Sequence, residues 1–243
     1  MARRRFFVQE VRRGAAELTG SDAEHLVRVL RAEVGQVYEI SDNKNLYLAE
    51  IETARKSLVS FRVVKQLAPP AAVAAVHLYP ALFKFDRFEW TIEKATELGV
   101  NSIRPFEAAR SERGLAQAAP KRVTRWERIA LEASQQSRRV HLPEIHTPAP
   151  LESVLDSEAA VRLLLDEKRS APPILSVVES LPFSRSAGDS IAMIAGPEGG
   201  WTEEERAQLL GSDWRACSLG TTILRAETAA VAALSIVNVL WNR

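Results

Sequence analysis

The chain has 243 residues, enough for one large domain or two modest ones, and its 32 Lys and Arg residues nearly balance its 31 Asp and Glu residues. The formal net charge of +1 therefore provides no overall attraction to nucleic acid. The single cysteine, Cys217, excludes an intrachain disulfide and is typical of a reducing cytoplasm, and with four histidines no metal site is expected. The apolar run near the C-terminus is shorter than a membrane span, so no membrane association is expected.

Residues 1 to about 67 have the pattern of a small β-rich domain. Short β-branched or aromatic runs predict strands at RFFV, QVYEI, LYLAEIET and SLVSFRVVK, and the turn-forming SDNKN segment predicts a hairpin. Between the first strands, SDAEHLVRVLR predicts a helix that begins with a capping box of Ser21 and Glu24. Its apolar face would consist of Leu26, Val29 and Leu30.

Arginines in this first region are candidates for phosphate contacts. Arg28 and Arg31 share a face of the predicted helix, and a local basic face can bind phosphate on a nearly neutral protein. An ordinary solvated helix surface is the alternative. The start of the chain is also basic, with a single acid, Glu10, among Arg3, Arg4, Arg5, Arg12 and Arg13.

A stretch of prolines and small residues, LAPPAAVAA at 67–75, predicts a domain boundary. Beyond it, strands alternate with helices, which indicates an α/β domain with a mostly parallel sheet. Strands are predicted at VHLYPAL, VNSIRPF, VRLLLDE, SIAMIAG and WRACSLG. The helix FEWTIEKATELG would bury Phe88, Ile92 and Ala95 and end at Gly99, and longer helices are predicted at PKRVTRWERIALEASQQS and AETAAVAALSIVNVLW.

Two loops near the C-terminus, IAGPEGG at 194–200 and LGTTILRAETA at 219–229, each follow a predicted strand and precede a helix. The glycines of the first loop would let a ligand approach the main chain, and Thr202 with Glu205 predicts a helix start directly after them. Together with Leu165 and Asp166 at a third strand end, these loops predict a small-molecule site. The alternative is a set of ordinary glycine-containing turns.

Familiar nucleophile and nucleotide motifs are missing from the sequence. There is no G-x-S-x-G, no phosphate loop and no G-x-G-x-x-G, and Cys217 lies in an apolar strand that is typical of a core position. Glu198 is a candidate base or a hydrogen-bond partner for backbone donors. A basic region with Trp126 among its arginines suits a folded RNA, with a salt-bridged surface as the alternative; it contains Arg104, Arg110, Arg113, Lys121, Arg122, Arg125, Arg128, Arg138 and Arg139.

Six motifs in order, HLVRVLR, EKATELGV, SER, QSRR with PEI, GPEGG and LGTTILRAETA, resemble the RsmE family of small-subunit ribosomal RNA uridine-N3 methyltransferases, in the SPOUT superfamily. The resemblance implies an N-terminal PUA-like β-barrel domain for RNA binding at residues 1–69. It implies a SPOUT α/β methyltransferase domain with a deep trefoil knot at 74–243. It also implies a cytoplasmic homodimer that uses S-adenosylmethionine to methylate N3 of a uridine in 16S ribosomal RNA within the small subunit.

The resemblance further implies a role for individual residues. Cofactor contacts would come from Leu165, Gly196, Pro197, Glu198, Gly199, Leu219, Gly220, Ile223 and Leu224. We also predict that Arg139, Arg225 and Glu227 orient or polarise the uracil; the alternative is that Arg225 and Glu227 brace the knot through an ion pair. RNA contacts would come from Arg3, Arg5, Arg28, Arg31, Arg110, Arg113 and Arg138.

Two positions depart from the family pattern. Gln135 stands where the family commonly has Glu, and Arg138 where it often has a small or different polar residue, which affects hydrogen bonding beside the substrate. Two other functions stay open: a non-catalytic RNA-binding or assembly factor with the same fold, and a methyltransferase of this fold acting on another RNA site. The glycines of both loops argue against the first, because a lost cofactor site would not require them.

Overall fold

The computed structural model describes residues 5–68, 74–168, 170–181 and 188–241. The chain divides into two compact units. The first comprises Met1–Ala71 and Leu131–Leu142, and the second comprises Ala72–Ala130 and Pro143–Arg243. Most of the predicted linker lies outside the described residues.

The first unit is built on a six-stranded sheet of order β1-β4-β5-β6-β3-β2, in which β1 and β4 are parallel and the other neighbours antiparallel. Its buried core includes Phe6, Leu26, Ile40, Ile51 and Phe61. The predicted strands and the hairpin between β4 and β5 are confirmed, whereas β2 and β3 were not predicted. The strands are β1 (Arg5–Phe7), β2 (Val11–Arg12), β3 (Ala15–Thr19), β4 (Val37–Ser41), β5 (Leu46–Arg55) and β6 (Leu58–Leu67).

The helix of the first unit differs from the prediction. Helix α1 (Gly20–Glu24) begins at Gly20 with Thr19 as its N-cap, so the predicted capping box at Ser21 is wrong. The helix continues as a π-helical turn over His25–Val29, which has more residues per turn than an α-helix and shifts the buried face. Leu26 is buried, but Val29 is 64% exposed and Leu30 is also exposed, so the predicted apolar face is wrong at these two residues.

Residues 131–142 pack with the first unit although they follow the middle of the chain. Ser41 Oγ donates a hydrogen bond to the Val140 carbonyl at 2.6 Å, and the Leu142 amide donates to Asn43 Oδ1 at 2.7 Å. Arg138 adopts a left-handed backbone with φ of +58°, and its carbonyl accepts a hydrogen bond from Arg5. Strands β1 and β4 and the hairpin turn therefore fix the conformation of the QSRR segment.

The second unit contains a six-stranded sheet of order β10-β8-β7-β13-β12-β14 in which all neighbours are parallel, and β9 and β11 form a separate parallel pair. Pro80 is the last residue of its strand, where a missing backbone donor is tolerated. The strands are β7 (Ala75–Pro80), β8 (Ser102–Ile103), β9 (Phe106–Glu107), β10 (Glu144–Ile145), β11 (Ala149–Pro150), β12 (Val161–Leu165), β13 (Ser190–Ala195) and β14 (Arg215–Cys217).

Helices cover this sheet, and two apolar clusters form its core. Phe88, Ile92 and Ala95 are buried and Gly99 follows the helix at a φ of +88°, as predicted. Pro120 lies in a 3-10 turn, Ala119–Arg122, before the longer helix. The helices are α2 (Phe85–Glu97), α3 (Leu115–Ala118), α4 (Val123–Gln136), α5 (Glu152–Leu155), α6 (Ile174–Glu179), α7 (Glu203–Gly211) and α8 (Ala226–Trp241).

The predicted fold class of a small β-rich unit and a parallel α/β unit is confirmed. The trefoil knot stays a prediction. Among the described residues, no helix is long and apolar enough to cross a membrane.

Candidate active site

The carboxyl ends of three neighbouring strands, β12, β13 and β14, open into one cavity of about 410 Å³. Parallel strands place these ends at the same edge of the sheet, which is where α/β proteins bind ligands. The volume lies within the range of small-molecule sites. The lining residues come from the end of β12 and the two residues after it, Asp166 and Glu167, from the predicted loops, from the start of α8 and from Arg87 on α2.

The structure brings most of the predicted cofactor residues together. One predicted member, Gly199, is not among the lining residues, and its α-carbon lies against Arg110 instead. Ile223 is 83% exposed, which is unusual for an isoleucine and places an apolar side chain at the cavity. The predicted residues that line the cavity are Leu165, Gly196, Pro197, Glu198, Leu219, Gly220, Ile223 and Leu224.

The glycines of the GPEGG loop make room for protein side chains. A Cβ on Gly196 would lie 2.8 Å from Cε2 of Trp201, and a Cβ on Gly199 would lie 2.9 Å from Cβ of Arg110. Gly200 has a φ of +70°, which favours glycine. Arg110 also donates hydrogen bonds to the carbonyls of Gly199 and Trp201 at 3.1 and 3.3 Å. The sequence predicts that these glycines let a ligand approach the main chain, but the contacts show that the loop's own packing requires them.

Trp201 and a buried ion pair hold the walls of the cavity. The indole Nε1 of Trp201 donates a hydrogen bond to the Leu165 carbonyl at 3.0 Å. Asp166, which follows Leu165, accepts two hydrogen bonds from Arg206 at 2.9 and 3.0 Å, and both side chains are buried. Burial acts to raise the pKa of Asp166. Hydrogen bonds from Arg206 and from the Lys168 amide, together with the positive charges of the Arg206 and Lys168 side chains, outweigh burial and hold this pKa below its usual range.

The helix start after the GPEGG loop is the predicted capping box. Thr202 Oγ1 accepts a hydrogen bond from the Glu205 amide, and the Glu205 carboxylate accepts one from the Thr202 amide. The other carboxylate oxygen of Glu205 accepts from the Ala109 amide at 2.7 Å. These bonds fix the exit of the loop into α7.

The three predicted uracil contacts have different environments. Arg225 lines the cavity and is exposed. Glu227, in the first turn of α8, is buried, and its Oε2 has no hydrogen-bond partner. Arg139 belongs to the first unit, where its Nε donates to the His141 carbonyl at 3.0 Å. Burial lowers the pKa of Arg139 to about 10.

Arg87 lines the cavity and was missed by the sequence analysis. Its guanidinium is paired with Glu198 and lies 3.7 Å from Glu227. The residue lies in an amphipathic helix, where a charged side chain on the polar face gives no local signal of a site. Trp201 was also missed, although an aromatic residue directly after a glycine-rich loop is a recognisable feature.

Some of the arginines predicted to contact RNA are exposed, and others are paired with groups of the protein itself. Arg3 lies outside the described residues, and Arg28, Arg31 and Arg113 are exposed. Arg31 has a φ of +51° and lies beyond the π-helical turn, so the predicted shared helix face with Arg28 is not formed. Arg5 is buried and paired with Glu39 at 2.7 Å, which gives it a structural role.

Glu39 connects two of these predicted RNA contacts. It accepts hydrogen bonds from Arg5 and from Arg138. Gln135, the other departure from the family pattern, is buried and donates to Asp22 Oδ2 at 3.2 Å. Both departures from the family pattern therefore form hydrogen bonds within the first unit.

Ion pairs occupy part of the basic region around the start of α4. Arg122 and Arg125 pair with Glu89 at 3.3 and 2.8 Å, as the salt-bridged alternative predicts for these residues. Cys217 is fully buried, and burial together with the charge of Asp166 raises its pKa to about 12, so it is not a nucleophile. Within the described ranges, no group of three or more His, Cys, Asp or Glu side chains is placed to hold a metal ion.

Comparison with known proteins identifies the family to which the chain belongs. A family model described as an RNA methyltransferase domain matches residues 69–238, and one described as an RNA methyltransferase PUA domain matches residues 18–64. The fold and these matches define an RNA methyltransferase with a PUA domain. Ribosomal RNA small subunit methyltransferase E of Bacillus subtilis is 32% identical, over 96% of this chain and 95% of that protein. The chain belongs to the ribosomal RNA small subunit methyltransferase E family, as the sequence motifs predicted.

A second curated relative and a solved structure extend the likeness. The protein of the same name from Rickettsia conorii is 31% identical, over 93% of this chain and 90% of its own length. The crystal structure of ribosomal RNA small subunit methyltransferase E from Neisseria gonorrhoeae bound to S-adenosyl methionine is 26% identical. It has a TM-score of 0.86 and covers 99% of this chain and 98% of its own.

Proposed function

We propose that this protein transfers a methyl group from S-adenosylmethionine to N3 of a specific uridine in 16S ribosomal RNA. The observation that carries the proposal is that the GPEGG loop, the LGTTILRAETA loop and the end of β12 line the same cavity. Full-length relatives named for small-subunit ribosomal RNA support the substrate. The Neisseria gonorrhoeae relative, bound to S-adenosyl methionine, supports the donor.

The residues present fit a nucleoside sulfonium donor. Leu165, Leu219, Ile223 and Leu224 offer apolar side chains for an adenine ring, and the cavity of about 410 Å³ is of suitable size. Gly220, with a φ of +133° and no atom within 4 Å of a Cβ built on it, leaves the main chain of its loop open. When bound, the donor supplies a methyl group that is already activated for attack. The protein then has to position the acceptor and exclude water.

The acceptor imposes two requirements on the protein. Uracil N3 carries a proton and is a weak acid, so the site has to favour its anion with a base or with cations near O2 and O4. N3 also lies on the Watson–Crick edge, so the base has to be unpaired before it reacts. We assign orientation or polarisation of the uracil to Arg225, Glu227 and Arg139, with Glu227 acting from a buried position outside the cavity lining.

The proposal includes the setting in which the protein acts. A PUA-like domain at residues 1–69 and a methyltransferase domain at 74–243 would bind RNA and cofactor respectively, with exposed Arg28, Arg31 and Arg113 among the RNA contacts. We expect a cytoplasmic homodimer that acts on the small ribosomal subunit. The family matches over residues 18–64 and 69–238 support the assignment of RNA binding to the first domain and methyl transfer to the second.

Methylation of ribosomal particles by purified protein tests the proposal directly. Small subunits from cells that lack the protein, incubated with it and radiolabelled S-adenosylmethionine, should acquire one N3-methyluridine in 16S RNA, located by mass spectrometry. Label at a ribose or in another RNA would favour a methyltransferase of the same fold that acts on another RNA site. Cofactor binding without any transfer, or no cofactor binding by calorimetry, would instead favour a non-catalytic RNA-binding factor.

A further inference from the structure

Arg87 is a cation built into the wall of the cavity. It projects from the first turn of α2 and lines the cavity together with residues of both loops. On one side it donates a hydrogen bond to Glu198 of the GPEGG loop. On the other side its Nε lies 3.7 Å from Glu227 Oε1 on α8. A guanidinium has more N–H donors than these two contacts use, so it can take a further acceptor without releasing both.

Glu227 lies behind this arginine. The carboxylate is buried, and Glu227 is not among the residues that line the cavity. Arg87 is its ion-pair partner, while Oε2 makes no hydrogen bond. A buried carboxylate with one oxygen unpaired is costly unless it serves another group. Its position suits electrostatic support of Arg87 better than direct contact with a substrate in the cavity.

The cations that line the cavity within the described residues are Arg87 and Arg225. Arg225 is exposed on the loop before α8. Arg87 extends from a regular helix between two carboxylates, and its side chain is 32% exposed. A donor held in place before the reaction stabilises developing charge without reorganising, so Arg87 is the better placed of the two.

We propose that Arg87 is a catalytic residue that stabilises the uracil anion through a carbonyl oxygen, and that Glu227 is a positioning residue that acts through Arg87. The proposal rests on the proposed uridine-N3 methylation. In the step, the N3 proton passes to solvent and the N3 electron pair forms a bond to the methyl carbon. The carbon–sulfur bond breaks with its electron pair remaining on sulfur. The negative charge on O2, N3 and O4 before bond formation is the charge that Arg87 would stabilise.

Arg87→Ala, Arg87→Lys and a matched control test this role. Lys94 lies on the same helix, pairs with Glu93 and Glu97 at 2.7 and 3.0 Å, and has a similar side-chain exposure of 30%, but it does not line the cavity. Single-turnover methylation of small subunits should fall by about 10²- to 10³-fold in Arg87→Ala, the usual cost of losing one donor to a developing anion. Arg87→Lys should lose less because it keeps a point charge. Lys94→Ala should retain wild-type rates.

Two further readouts separate catalysis from binding and structure. Calorimetry should give an S-adenosylmethionine Kd within about threefold of wild type for Arg87→Ala, so that the loss lies in the methyl-transfer rate. The defect should also shrink as pH rises into the range where uracil N3 ionises unaided, a trend that a packing defect would not produce. A defect that follows cofactor affinity, or one that is equal at every pH, overturns the catalytic role.

A double-mutant cycle tests the role given to Glu227. If Glu227 acts through Arg87, Glu227→Gln should slow transfer in the wild-type background and add little to Arg87→Ala. Additive losses would show that Glu227 acts independently and would overturn its positioning role. If thermal unfolding shows that Arg87→Ala is poorly folded, Arg87→Lys and Glu227→Gln still test the roles of Arg87 and Glu227. If wild-type protein itself transfers no methyl group to uridine N3, the proposed function fails, which is a separate outcome.

Discussion

Gly196→Ala should destabilise the second unit because the new methyl group meets a tryptophan that cannot move freely. The added Cβ would lie 2.8 Å from Cε2, 2.9 Å from Nε1 and 3.2 Å from Cδ2 of Trp201. That ring is buried, stacks on Phe106 with an interplanar angle of 8°, and donates a hydrogen bond to the Leu165 carbonyl at 3.0 Å. Relief therefore requires the ring or the loop to shift.

The expected magnitude follows from these contacts. Overpacking of a core by one methyl group costs about 1–3 kcal/mol, and a displaced indole that loses its acceptor adds to this. For a chain of this size, about 2 kcal/mol corresponds to a fall in Tm of roughly 4–8 °C. Because Leu165 and Gly196 both line the cavity, the affinity for S-adenosylmethionine should fall as well.

Thermal unfolding by circular dichroism and cofactor titration by calorimetry measure the two effects. Gly211→Ala is the matched control, because Gly211 ends helix α7 and a Cβ there meets nothing within 4 Å. It should be neutral or stabilising, since alanine is the better helix former. Trp201→Phe should recover part of the stability lost in Gly196→Ala by removing the clashing ring atoms. An unchanged Tm and affinity in Gly196→Ala would refute the packing explanation for this glycine.

Three further substitutions test contacts around the site and the first unit. Asp166→Asn should lower the free energy of unfolding in urea by about 1.5–3 kcal/mol, because Arg206 loses its buried charged partner and keeps only Glu167 and Glu203, at 3.3 and 3.0 Å. Glu39→Gln should lower the stability of the protein near neutral pH. Burial acts to raise the pKa of Glu39, but the hydrogen bonds and charges of Arg138 and Arg5 outweigh burial and hold this pKa below its usual value. Ionised Glu39 stabilises the folded state at pH values above its pKa in the unfolded chain, and this stabilisation is lost as the pH falls through its pKa in the folded protein. The difference in Tm between variant and wild type should therefore disappear at acidic pH. Thr202→Ala should cost about 1 kcal/mol by removing the cap of α7, and Thr202→Ser should restore it.

Sequence patterns predicted the second unit well because its longer elements have clear periodicity. Strands such as VRLLLDE and SIAMIAG are continuous apolar runs bounded by loops, and both form central parallel strands. Strands β9, β10 and β11 have two residues each, too few to show any alternation. The ends of the longer strands fixed the position of the cavity, since parallel strands bring their carboxyl ends to one edge.

The errors in the first unit have a different origin. A 3.6-residue period was assumed for HLVRVLR, and the π-helical turn there exposes Val29 and Leu30. The packing of residues 131–142 with the first unit depends on contacts between residues far apart in sequence. Arg5 and Arg138 are separated by 133 positions, and Ser41 and Val140 by 99. Local patterns carry no information on such pairs.

The contacts of the GPEGG loop also explain how its main chain is held in place beside the cavity. Gly196 and Gly199 allow Trp201 and Arg110 to pack against the loop backbone, and Arg206 pairs with Asp166, which lines the cavity. A main chain held in this way loses little conformational freedom when a ligand binds, so backbone contacts alone can support useful affinity. Affinity for the donor should then depend on buried residues that never touch it. Catalysis, by contrast, should depend on the cations that face the uracil.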